Sequence, residues 1–144
     1  MECHSANSGV SHPDLFQLGK FTLASGRSSF WKIDCDSLTA DEIACLARLV
    51  LDRVPPFGRV VGVPRGGVRL AAALEAHCRD HCARVLLVDD VYMTGESMRN
   101  EREHICRNYR VRNEQVVGFV LFAREVVTDD WITPLFQITP ATYG

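Results

Sequence analysis

A chain of 144 residues with 16 basic and 18 acidic side chains, net charge −2, has the length of one domain. A chain of that length buries roughly 68–70% of its unfolded surface, enough for a core without staples. The near balance of charge gives no general drive toward nucleic acid or an anionic membrane, and no apolar run approaches the roughly 18 residues that span a bilayer. The six cysteines are scattered, and Met1-Glu2-Cys3-His4-Ser5 lacks the basic and apolar regions of an export signal, which points to reduced thiols in the cytoplasm.

Residues 1–12 are polar and expected to be a mobile amino terminus ahead of a single domain over residues 13–144. Asp14 to Leu18 reads as a helical turn. Lys20–Leu23 and Phe30–Asp34 read as short strands, and Ser25-Gly26-Arg27-Ser28-Ser29 between them has the chemistry of a hairpin turn. Thr39-Ala40-Asp41-Glu42 is a capping-box pattern. The helix it opens carries Ile43, Leu46, Ala47 and Val50 at helical spacing and stops at Pro55-Pro56-Phe57-Gly58. There follow a strand over Arg59–Val63, a loop over Pro64–Gly67, a helix over Val68–Arg79, a strand over Val85–Val88, a helix from Ser97 to Asn108, a strand over Val116–Ala123 and a last strand over Leu135–Ile138. Strands alternating with helices predict an α/β fold: a parallel sheet of four or five strands with helices on both faces, the first strands set apart.

Val85-Leu86-Leu87-Val88-Asp89-Asp90-Val91-Tyr92-Met93-Thr94-Gly95-Glu96-Ser97 carries the most chemistry. Four apolar residues suit a strand covered on both faces, and ligands of open α/β sheets sit beyond the carboxyl ends of such strands. Free N–H groups at a helix start hold a phosphate. Two carboxylates just before that loop can accept hydrogen bonds from vicinal hydroxyls. A sugar with two hydroxyls and a terminal phosphate, a ribose 5-phosphate, fits the pattern. Val60-Val61-Gly62-Val63-Pro64-Arg65-Gly66-Gly67-Val68 repeats the strand–loop–helix logic, with two glycines for close backbone approach and Arg65 for charge.

The stretch from Val85 to Ser97 closely resembles the phosphoribosyl-diphosphate signature of type I phosphoribosyltransferases. The resemblance implies that Asp89 and Asp90 contact the ribose hydroxyls and, with the substrate, Mg²⁺. It implies that Met93, Thr94, Gly95, Glu96 and Ser97 wrap the 5-phosphate, and that Arg65, Gly66 and Gly67 hold the pyrophosphate of 5-phosphoribosyl diphosphate. Glu96 departs from the family, which more often has a small residue there. Phe21 to Asp34 resembles the amino-terminal segment of orotate phosphoribosyltransferases, where the acceptor base is bound, which makes Arg27 and Lys32 candidates. Ala24 departs from the lysine usual in those enzymes. Arg124, at the end of the strand over Val117–Ala123, matches an arginine near the base carboxylate. The resemblance thus implies an orotate phosphoribosyltransferase-like fold with a reduced hood. It implies Mg²⁺-dependent transfer of phosphoribose to a base, a pyrimidine such as orotate, in a homodimer.

The family's long mobile loop between the pyrophosphate loop and the ribose motif is missing. Here seventeen residues, Val68–Arg84, take its place, with no lysine among them. The second reading is therefore a regulatory protein that binds a phosphoribosyl compound without turnover. His77-Cys78-Arg79-Asp80-His81-Cys82 suggests a metal, but four ligands so close in sequence do not readily enclose a tetrahedral ion. Arg99, Arg102, Arg107, Arg110 and Arg112, interrupted by Glu101 and Glu103, read as a solvated, ion-paired helix face rather than a nucleic-acid stripe.

Overall fold

The computed structural model describes residues 14–23 and 26–138. The amino-terminal dozen, expected to be mobile, and Ala24 and Ser25 of the hairpin turn lie outside them. The chain divides into two compact units between Leu38 and Thr39.

The first unit is an antiparallel hairpin of β1 (Phe16–Thr22) and β2 (Ser28–Ile33). β1 begins four residues before the expected Lys20, so the helical turn expected over Asp14–Leu18 is strand instead. Phe16 pairs with Ile33 and Leu18 with Trp31, and the register shifts between Leu18 and Phe21, around Gly19 at φ 149°. Cross-strand pairing overrides the local signal. Asp34 fastens the open end: its N–H donates to Leu15 O at 2.6 Å and its carboxylate accepts from Gln17 Nε2 at 2.8 Å.

The second unit opens with α1 (Ala40–Leu51), whose capping box forms as expected. Thr39 Oγ1 accepts from the Glu42 N–H at 3.1 Å, and Glu42 Oε1 accepts from the Thr39 N–H at 2.8 Å. Next come β3 (Arg59–Gly62), α2 (Val68–Leu74), β4 (Val85–Tyr92), α3 (Glu96–Tyr109), β5 (Val116–Ala123) and β6 (Ile132–Gln137). The four strands form one parallel sheet in the order β3-β4-β5-β6. α2 is shorter than expected. It ends at Leu74 and a 3-10 turn over Glu75–His77 follows, so His77 to Cys82 do not share a helix face. β6 starts three residues before the expected Leu135, and β4 runs four residues beyond the expected Val88.

The core explains the layers. Val85 and Leu87 of β4 cluster with Met98 and Ile105 of α3, so α3 covers that face. Leu86 and Val88, directed to the other face by the pleat, are equally buried. On that other face a Cβ on Gly62 would strike Gly67 O and Val68 N, which places the start of α2 there. Helices thus cover both faces. β3, β4 and β5 advance in one direction across the sheet while α2 and α3 lie on opposite faces. The two crossovers therefore have opposite hands, and one departs from the nearly universal right-handed rule.

The return from α2 to β4 accounts for this. The Arg79 N–H donates to Phe57 O at 2.8 Å, and the Gly58 N–H donates to Arg84 O at 2.9 Å. A Cβ on Gly58 would collide with Cys82 O. The connection runs along the outer edge of β3 before entering β4, and covers an edge that would otherwise be open.

Candidate functional site at the carboxyl ends of the strands

Two strand–loop–helix turns meet at one edge of the sheet. β4 does not stop at the two acids, as the sequence suggests. It carries both within the ladder, Asp89 opposite Val120 and Val91 opposite Phe122, and ends at Tyr92. Asp89 is 7% exposed and Asp90 half-buried. Asp89 Oδ1 accepts from the Asp90 N–H at 2.8 Å, and Asp90 Oδ1 from the Val91 N–H at 2.7 Å. Burial, with Asp90 as neighbour, pushes the Asp89 carboxyl up to about 8. A group that donates hydrogen bonds or brings positive charge would draw Asp89 back to its ionised form.

The Pro64–Gly67 loop lies directly against these acids. The Asp90 carboxylate occupies the space a Cβ on Gly66 would need, and Gly67 is packed on Val88 O and the Val63 backbone. The peptide between Pro64 and Arg65 is cis. Arg65 is exposed.

The second loop leads into α3. Gly95 adopts the left-handed conformation at φ 81°, and no side chain caps the helix. Arg99 is the first residue whose N–H reaches back, to Gly95 O at 2.9 Å, while the Glu96 N–H goes to Thr94 Oγ1 at 3.3 Å. Among the described residues the N–H groups of Ser97 and Met98 make no hydrogen bond, and a fourteen-residue helix puts its positive dipole end behind them. Thr94, Glu96 and Ser97 are exposed and Met93 is half-buried. The arrangement offers an anion site beside two carboxylates, with Gly66 and Gly67 on the far side.

Arg124 follows β5 at the same edge, its N–H donating to Tyr92 O at 2.9 Å, but its side chain is 8% exposed and already engaged. Arg27 and Lys32 belong to the amino-terminal hairpin, where Arg27 is exposed and Lys32 Nζ sits 5.0 Å from the centre of the Phe21 ring. Among the described residues there is no cluster of three or more His, Cys, Asp or Glu that could cage a metal. Asp89 and Asp90 still fit Mg²⁺, which is commonly bound by one or two carboxylates together with substrate phosphates.

Three groups behind the second loop were not legible as functional. Tyr92 is buried, and its hydroxyl donates to Asp129 Oδ2 at 2.9 Å. Arg99 Nη1 bonds the same carboxylate at 2.9 and 3.2 Å and Thr94 O at 3.1 Å. A buried tyrosine hydroxyl demands a partner, which was the available signal. The partner, 37 residues away, was not predictable from spacing.

No protein-family profile matches the chain, and no curated protein matches it. Solved structures do. Orotate phosphoribosyltransferase from Aeropyrum pernix is 24% identical with a TM-score of 0.66, over 86% of this chain and 89% of that one. UMP synthase from Leishmania donovani is 22% identical with a TM-score of 0.66, over 86% of this chain and 34% of that longer one. Orotate phosphoribosyltransferase from Mycobacterium tuberculosis H37Rv, in complex with 5-phospho-alpha-D-ribosyl 1-diphosphate, is 20% identical with a TM-score of 0.61, over 82% of this chain and 86% of that one. The chain has the α/β fold of the type I phosphoribosyltransferases. The orotate enzymes among them share it over most of their length.

Proposed function

We propose that this chain binds 5-phosphoribosyl diphosphate and transfers its phosphoribosyl group to a ring nitrogen of a base. The observation that carries this reading is the meeting of the two turns. Asp90 lies on Gly66, and the N–H groups of Ser97 and Met98, which make no hydrogen bond among the described residues, begin the helix that follows the strand carrying Asp89 and Asp90. Asp89 and Asp90 accept hydrogen bonds from the ribose diol. Thr94–Ser97 hold the 5-phosphate through backbone N–H groups, with the Glu96 carboxylate directed to solvent. Gly66 and Gly67 admit the pyrophosphate close to the backbone, and Arg65 adds charge. The base nitrogen forms a bond to the anomeric carbon and gives up its proton to solvent, the bond from that carbon to the pyrophosphate oxygen breaks, and pyrophosphate leaves with the electron pair. Fixing both ends of the donor leaves the anomeric carbon as the free centre between them. Mg²⁺, held by Asp89 and Asp90 with the substrate, would supply charge neutralisation at the pyrophosphate. The acceptor in this reading is a pyrimidine such as orotate, with Arg124 as a candidate contact, and the protein acts as a homodimer.

A specific observation favours a second reading, a regulatory protein that binds the same donor without turnover. α2 starts at the site edge and runs away from it, and the connection returns at the opposite ends of β3 and β4, where Arg84 meets Gly58. No part of Val68–Arg84 comes back as a cover, and an uncovered site admits water to the reactive centre. Calorimetry with 5-phosphoribosyl diphosphate and Mg²⁺, followed by pyrophosphate release with a panel of bases, tests both. Release with one base establishes the transferase. Binding without release selects the second reading, and no binding removes both.

A further inference from the structure

We propose that Tyr92, Asp129 and Arg99 form a positioning device for the Thr94–Ser97 loop, and that Asp129, on the β5–β6 connection, controls how well that loop holds a phosphate. The inference rests on the reading of Thr94–Ser97 as a phosphate loop and adds residues to which that reading gives no role. Three elements supply the device: the last residue of β4, the first turn of α3 and the segment before β6.

Asp129 is the hub. Its carboxylate accepts from the Tyr92 hydroxyl and from Arg99 through both oxygens, and its side chain is 12% exposed against 44% for Arg99. Tyr92 is fixed in turn, because its hydroxyl oxygen accepts from the Thr128 N–H at 3.3 Å. Arg99 Nη1 then passes the constraint to Thr94 O at 3.1 Å. A peptide unit is planar and trans, so its carbonyl and the next N–H point in opposite directions. Holding Thr94 O toward Arg99 therefore turns the Gly95 N–H away from Arg99, to the side where an anion can meet it along with those of Ser97 and Met98. The same carboxylate and guanidinium fill the space a Cβ on Gly95 would take, so the residue at the left-handed position must be glycine. Arg99 neutralises Asp129, which removes the repulsion a bare carboxylate would exert on a phosphate behind the loop. The ion pair thus acts through the peptide it orients and not as a direct contact to the ligand.

The test is Asp129→Asn, which keeps the size of the side chain and an acceptor for Tyr92 but gives up the charge that fixes Arg99. Calorimetry with inorganic phosphate and with 5-phosphoribosyl diphosphate should show affinity lower by about tenfold for both, the loss expected of one charge-assisted hydrogen bond. The melting temperature should stay near that of the parent. Amide exchange at Gly95 to Met98 should quicken while the β4 and β5 amides do not change. Tyr92→Phe should act in the same direction and less, and the double variant should lose less than the two single losses combined. Unchanged or tighter binding with unchanged exchange would overturn the proposal, tighter binding because it would mean that a released Arg99 contacts phosphate itself. If the parent binds neither compound, the phosphate-loop reading fails. Exchange then still decides the device: quickening in Asp129→Asn keeps it and no change removes it.

Discussion

The two loops at the site edge have the same plan and are held in opposite ways. Pro64–Gly67 is shaped by close contact at its glycines: Gly67 lies on the Val88 and Val63 backbone, Gly66 lies under the Asp90 carboxylate, and the helix behind it has seven residues. Thr94–Ser97 is shaped by side chains from three elements and backed by a helix of fourteen. A loop fixed by close contact at its glycines tolerates no added atom. A loop fixed by side chains can be loosened one hydrogen bond at a time. The first suits a ligand group that must leave, and the second a group that anchors the molecule.

The largest expected effect falls where the loops share a wall. Asp89→Asn with Asp90→Asn should cut 5-phosphoribosyl diphosphate affinity by at least about a hundredfold, since hydrogen bonds to charged groups contribute roughly 1.5–3 kcal/mol each. Calorimetry checks this, and unchanged binding would leave the two loops as separate anion sites with nothing between them. Next comes the Pro64–Gly67 loop. Gly67→Ala would drive a methyl into Val88 O and the Val63 backbone, and should lower the melting temperature by several degrees, the response to roughly 1–3 kcal/mol of overpacking. Thermal unfolding by circular dichroism reads it, and an unshifted melt would show that this loop is not set by packing.

A third effect is electrostatic. The folded protein holds the Asp89 proton up to about pH 8, against 3.8 for the free side chain, so it binds that proton more tightly than the unfolded chain does. Stability should therefore fall as pH rises through that window, and Asp89→Asn should flatten the slope. Urea unfolding at pH 5, 6.5 and 8 measures it, and a parent whose stability rises with pH at this residue's expense would contradict the burial argument. The smallest effect belongs to Arg65. Arg65→Ala should weaken donor binding by about tenfold or less and leave the melt unchanged, as expected of one exposed charge-assisted contact.

The sequence announced those parts of the molecule whose cause is local. The Thr39–Glu42 capping box, the apolar Val85–Val88 run and the glycines of both loops each carry their reason within a few residues. What it concealed depends on partners far along the chain. β4 continues through two acids, poor strand formers, because Val120 and Phe122 of β5 hold the ladder beyond them. The strand over Phe16–Leu18 exists because Ile33 and Trp31 pair with it. Arg99 reads as one of a row of solvated arginines until Asp129 is placed beside it. Arg102 is similar: its guanidinium lies 4.1 Å from the centre of the Trp131 ring. The shortfall of α2 has the same origin, since residues 78–82 are drawn to the edge of β3 and cannot extend the helix.

That edge also bears on how the chain could lengthen. The Arg79 N–H bonds back to Phe57 O just ahead of β3, and the turn beside it passes through an exposed His81 at φ 63°. Residues inserted at this turn would lengthen the chain on the outer side of β3. The outer side of β3 is thus a place where added sequence would lie apart from the two glycine-bearing turns.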